Sequence, residues 1–100
     1  MTPMNLAEFH SACDAEPRSW PEEWSPLLRA LALDRSGNWD AAHSIAQDDP
    51  SLLGSAVHAY LHREEGVQWN AEYWYRRAGR TPFTGPLERE WDSLARELLG

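Results

Sequence analysis

His58 and His62 stand four residues apart, the spacing that puts two imidazoles on one side of a helix within reach of a single metal ion. Glu65 lies about a turn further on, and His43 can join from the neighbouring helix. The pair lacks the glutamate that follows the first histidine in the zinc-hydrolase signature; Ala59 stands there. On a helical wheel both histidines flank an apolar stripe. The expectation is therefore hydrogen bonding at a helix–helix seam, or contact with water. A metal or small-ligand site on His43, His58 and His62 is the alternative, and no cofactor is expected.

Tyr73, Arg76 and Arg77 form a second candidate set on the outer side of a later helix. Arg77 is one turn from Tyr73 and can stack on it. A guanidinium is a planar fork suited to carboxylates and phosphates, so this face suits an acidic peptide or another anionic group. The competing expectation is a solvated face whose arginines favour the helix C-terminus. Six tryptophans add recognition anchors wherever they remain exposed. Trp39, Trp74 and Trp91 fall on apolar stripes and read as core, whereas Trp20, Trp24 and Trp69 lie nearer to segment ends. Cys13 falls on the inner face of the first helix and reads as an inert buried thiol. His10, three residues before it, makes a nucleophilic dyad only at chance level. No serine sits on a nucleophile elbow, and the six glycines are isolated, so no phosphate-binding loop is present.

The elements that must position these groups all read as helices. Alanine and leucine recur at three- and four-residue spacing, and strand-like alternation is absent. Asn5 and Glu8 form a capping box for a first helix bearing Leu6, Phe9, His10 and Cys13, which ends at Glu16-Pro17. A short turn or loop over Ser19–Trp24 precedes Ser25-Pro26, which opens a second helix that Gly37 stops. Asn38 or its neighbour caps a third, with Trp39, Ala42, Ile45 and Ala46 inward. Asp48-Asp49-Pro50 breaks it, and Ser51 starts a fourth, with Leu53, Val57, Tyr60 and Leu61 on one face up to Gly66. A fifth runs from about Trp69 to Ala78, with Ala71, Trp74, Tyr75 and Ala78 inward and Glu72 paired to Arg76. After a loop at 81–86, a last helix carries Leu87, Trp91, Leu94 and Leu98 in a stripe, with Asp92 paired to Arg96.

Gly37-Asn38-Trp39-Asp40-Ala41-Ala42 recurs loosely as Gly66-Val67-Gln68-Trp69-Asn70-Ala71, at an offset of 29 or 30 residues. Each copy joins one helix to the next, the layout of helical-hairpin repeats. Gly37-x-Trp39-x-Ala41-Ala42 resembles the hairpin turn of tetratricopeptide repeats, and Ala71 to Gly79 resembles the second helix of the related SEL-like repeats. His58 to Gly66, with Tyr73-Trp74-Tyr75-Arg76-Arg77-Ala78-Gly79, is similar to a family of small bacterial proteins of unassigned function. The resemblance covers roughly residues 33–80. It implies helical hairpins and carries no catalytic residue across. The chain holds about two such units, where about three are needed for a free-standing stack, so flanking helices must cap it.

Composition bounds the rest. The 100 residues suit one domain, with a hairpin core at about 24–79 and capping helices at about 4–15 and 86–99. The expected fold is all-α, a compact bundle of five to six short helices with tetratricopeptide-like hairpins. A single cysteine excludes an internal disulfide and suits a reducing, cytoplasmic setting. The N-terminus lacks a basic start and apolar run, so no secretory leader is expected, and no apolar stretch is long enough for a membrane span. A net charge of −7 argues against nucleic-acid binding. Nine acids and three arginines place −6 in residues 1–50, while seven acids and six arginines leave −1 in residues 51–100. Lysine is absent, so every fixed cation is arginine. The leading expectation is a non-enzymatic interaction module for a protein, peptide or anionic group, with Tyr73, Arg76, Arg77, His58, His62 and Glu65 at the edge of a groove. The metal or small-ligand protein is the second reading, and a structural subunit of a homo-oligomer the third.

Overall fold

Among the described residues, four of the six helices begin on the side-chain caps that the sequence offers. Asn5 accepts from the Glu8 amide at 2.8 Å while Glu8 accepts from the Asn5 amide at 3.0 Å. Ser25, Asn38 and Ser51 each accept from the amide three residues on. Such a bond satisfies one of the donors that a helix start leaves free, contributing about 1 kcal/mol. The structure, a computed structural model, describes residues 4–16 and 20–100. The helices are α1 (Leu6–Asp14), α2 (Pro26–Arg35), α3 (Trp39–Asp48), α4 (Leu52–Glu65), α5 (Gln68–Ala78) and α6 (Leu87–Leu99). No strand occurs among the described residues, and none of their helices is long and apolar enough to cross a membrane. The start of the chain read above for a leader, Met1 to Pro3, lies outside the described residues. So do Pro17, Arg18 and Ser19, on which the end of the first helix and the start of the following turn were placed.

Short connections fold α2, α3, α4 and α5 back on one another in sequence, and α6 returns to pack on α1, α2 and α4. A radius of gyration of 12.8 Å matches the about 13 Å of a closed 100-residue globule, so the hairpins close into a bundle instead of an open solenoid. Trp91 of α6 is the closing wedge. Its ring stacks on Phe9 of α1 at 5.4 Å, and its indole N–H donates to the Leu31 carbonyl of α2 at 3.0 Å.

The sequence echo has a physical basis. Gly37 and Gly66 both adopt left-handed backbone, with φ of 92° and 89°, where a Cβ is disfavoured. Five residues after each, Ala42 and Ala71 are fully buried, where only a small side chain lets the helices approach. The helices align at an offset of 29, because α3 starts at Trp39 and α5 at Gln68. Trp69 therefore occupies the place of the exposed Asp40, not that of Trp39.

Two expected ion pairs do not form. Asp92 meets His10 of α1 at 2.8 Å instead of Arg96, a contact across helices that sequence spacing does not reveal. Glu72 accepts from Gln68 instead of pairing with Arg76.

Candidate functional site

α4 is the central helix. Every residue from Gly54 to His62 is buried, because α3, α5, α2 and α6 all pack against it. That placement puts His58 and His62 inside the molecule, at 3% and 7% exposure. Of the two expectations, hydrogen bonding at a helix–helix seam holds, at the meeting of α3, α4 and α5, whereas contact with water and a place at a groove edge are corrected.

His43 reaches them from α3. Its Nε2 lies 2.9 Å from Nε2 of His58, and one donor atom from each of the three imidazoles falls within 4.8 Å of the others. Indoles flank the group. Trp39, one turn before His43, stacks on it at 4.8 Å, and Trp74 of α5 stacks on His58 at 3.8 Å. The Trp39 N–H donates to the Leu61 carbonyl at 2.9 Å, which locks the ring against α4. Glu65 takes part through His62, whose Nδ1 lies 2.7 Å from its carboxylate. An acceptor at Nδ1 holds the proton of a neutral ring there and leaves the lone pair on Nε2.

Burial pushes His58 down to about 4, with the neighbouring His43 and His62 adding to the effect. Burial and His62 also lower His43, partly offset by Glu65 and Asp40. His58 is therefore neutral at pH 7, the form that offers a lone pair. Its Nδ1 is buried and has no hydrogen-bond partner.

Tyr73, Arg76 and Arg77 do not join the histidine cluster directly. They stand on the outer face of α5 with Trp69, at positions 69, 73, 76 and 77 of one stripe. Trp69 is 73% exposed and Tyr73 42%. Arg77 donates to the Tyr73 hydroxyl at 3.3 Å and lies over the rings of both Tyr73 and Trp74. Trp74, read from its spacing as core, is half-buried; it links the two sets, since it also covers His58.

Two further groups escaped the sequence reading. Glu90 is buried between α4 and α5, accepting from Arg63 at 2.9 Å and from the Tyr75 hydroxyl. Asp34 and Glu64 face each other beside Tyr60 in a cleft of about 270 Å³ floored by Trp91. Burial and the adjacent Asp34 push Glu64 up to about 8. The available signal was an acid on an apolar stripe: Glu90 sits three residues after Leu87, and Asp34 three after Leu31. Cys13 is buried and pushed up to about 11, mainly by that burial, and His10 is engaged by Asp92. Neither geometry makes a nucleophile.

Comparison with known protein families, with characterised proteins and with solved structures finds no match to this chain. The likeness to tetratricopeptide and SEL-like hairpins rests on the residues quoted above.

Proposed function

We propose that the protein is a non-enzymatic recognition module whose outer α5 face binds an acidic segment of a protein partner in the cytoplasm. The observation that carries this reading is the exposed stripe of Trp69, Tyr73, Arg76 and Arg77. Three other arginines are neutralised within the fold, in Arg35–Asp14, Arg63–Glu90 and Arg80–Glu97. Unlike Arg89 and Arg96 of α6, which are also unpaired among the described residues, Arg76 and Arg77 share their stripe with the exposed Trp69 and Tyr73. Arg76 and Arg77 have no carboxylate partner among the described residues. Two aromatic rings beside two guanidiniums without a carboxylate, one of them held over Tyr73 and Trp74, supply the anchors that protein interfaces favour. In a chain of net charge −7, this face is where an anionic partner meets attraction instead of repulsion.

The test is selection from a displayed random-peptide library, followed by fluorescence titration of the selected peptides. The reading expects enrichment of Asp- and Glu-containing sequences. Binding should fall at least tenfold in Trp69→Ala and in Arg76→Glu/Arg77→Glu, and weaken with salt. Peptides without acidic enrichment, or affinities unchanged in these variants, would overturn it.

A further inference from the structure

We propose that His43, His58 and His62 form a binding site for one divalent transition-metal ion of the Zn²⁺ class, at the seam of α3 and α4. This inference is independent of the α5 face and its partner.

The first argument is geometric. Zn–N bonds of about 2.0–2.1 Å in a tetrahedron require ligand nitrogens about 3.3 Å apart. The three donors lie within 4.8 Å of one another, and the closest pair is 2.9 Å apart. One contact must open by a few tenths of an ångström and the widest must close by about 1.5 Å, relative to that tetrahedral spacing. Movements of this size are reached by imidazole rotation on fixed helices when the stacked Trp39 and Trp74 rings shift with their partners. Two ligands come from successive turns of α4, so their spacing is set by a single rigid element. The third comes from α3, held by the short Asp49–Ser51 connection.

The second argument concerns hydrogen bonding. A buried structural histidine ordinarily has partners on both ring nitrogens. Here His58 spends one nitrogen on a second imidazole and leaves the other without any partner. Apolar side chains would fill the same space without burying orphaned polar atoms. Metal coordination gives the converging nitrogens a common partner, each ring contributing one lone pair to the cation, while the His58 Nδ1 stays outside the ligand set.

The third argument is the outer layer. Ligating histidines characteristically give their second nitrogen to a carboxylate or carbonyl, which fixes the ring. Glu65 stands in that relation to His62. Trp39 and Trp74 restrict the other two rings by stacking. The donor set is three neutral imidazoles without a thiolate, which suits Zn²⁺, Ni²⁺ or Cu²⁺ and disfavours Mg²⁺ and Ca²⁺. Three protein ligands leave a further coordination position for water or an exogenous group.

The experiment is calorimetric titration of chelator-treated full-length protein with ZnCl₂, with MgCl₂ as control. Co²⁺ absorption serves as an independent readout of the ligand field. The proposal expects one Zn²⁺ per chain, a raised melting temperature, no response to Mg²⁺ and an intense visible Co²⁺ band. His43→Gln, at the half-exposed member, should weaken binding at least a hundredfold while helical circular dichroism is kept. Glu65→Gln should weaken it roughly ten- to a hundredfold. Absence of Zn²⁺ heat and of a Co²⁺ band in folded protein would overturn the proposal. So would binding unchanged in folded His43→Gln, which would place the ion on surface carboxylates, or one ion shared by two chains.

Discussion

Gly54→Ala should destabilise the protein even though alanine is the better helix former. Gly54 lies in the first turn of α4, one turn before His58. A Cβ built there falls 2.5 Å from the Asp49 carbonyl oxygen, 2.7 Å from its Oδ1 and 2.8 Å from its Cβ. Ordinary contact begins near 3.4 Å, and the nearest atom is backbone, so the connection itself must move. The same Asp49 Oδ1 accepts from the Ser51 amide at 2.9 Å and from its hydroxyl at 2.5 Å, so that movement also strains these bonds. Exchanging glycine for alanine inside a helix gains about 1 kcal/mol. Overpacking costs about 1–3 kcal/mol, and two weakened, exposed hydrogen bonds add about 1 kcal/mol. The net expectation is a loss of about 1–3 kcal/mol, or a melting temperature lower by roughly 5–20 °C in a domain of this size. Thermal and urea melts of Gly54→Ala beside Gln47→Ala, an exposed control on α3, measure it. A variant as stable as the parent, or more stable, would refute the claim that close approach requires glycine here. Because Asp49 ends the helix that carries His43, the same variant should also weaken Zn²⁺ binding.

Three other outcomes follow from Glu90, Glu64 and Cys13. Glu90→Ala strands Arg63 and the Tyr75 hydroxyl and should cost about 3–5 kcal/mol in urea unfolding, with Glu90→Gln costing less because it still accepts from Tyr75. Glu64, held protonated up to about 8 in the fold, makes stability fall as pH rises from its ordinary value near 4.5 to about 8. The folded state binds the extra proton, so Glu64→Gln should flatten this part of a pH series of urea melts; an unchanged slope would contradict it. Cys13, pushed up to about 11, should resist Ellman's reagent at pH 8 until denaturant opens the fold, and rapid labelling of native protein would count against its burial.

The helices were legible because their punctuation is local. Asn5–Glu8, Ser25-Pro26, Asn38, Ser51, Gly66 and Gly79 act within a few residues of where they stand. The histidine spacing was equally legible, but its burial was not. A helical wheel assumes one covered face, and α4 is covered nearly all round, so the residues flanking its stripe are interior as well. The Trp69 position turned on a single residue of register. An offset of 30 equates it with the half-buried Trp39, whereas the offset of 29 adopted by the helices equates it with exposed Asp40. The partners of Glu90, Asp92 and Asp34 lie 15 to 82 residues away, beyond the reach of any periodicity argument.

The uninterrupted burial of Gly54–His62 also sets a timescale. Amides in such a segment are expected to exchange with solvent only when the whole domain opens. Two of the three imidazoles are anchored to that slowest segment, and only His43 belongs to a helix with a free side. An ion held by all three would lose His43 first, because that ring is the partly exposed one, and would then leave His58 and His62 through the side that His43 had closed. Its residence would then follow the local opening of α3 against α4, so that retention becomes a kinetic property of one helix contact as much as a matter of affinity.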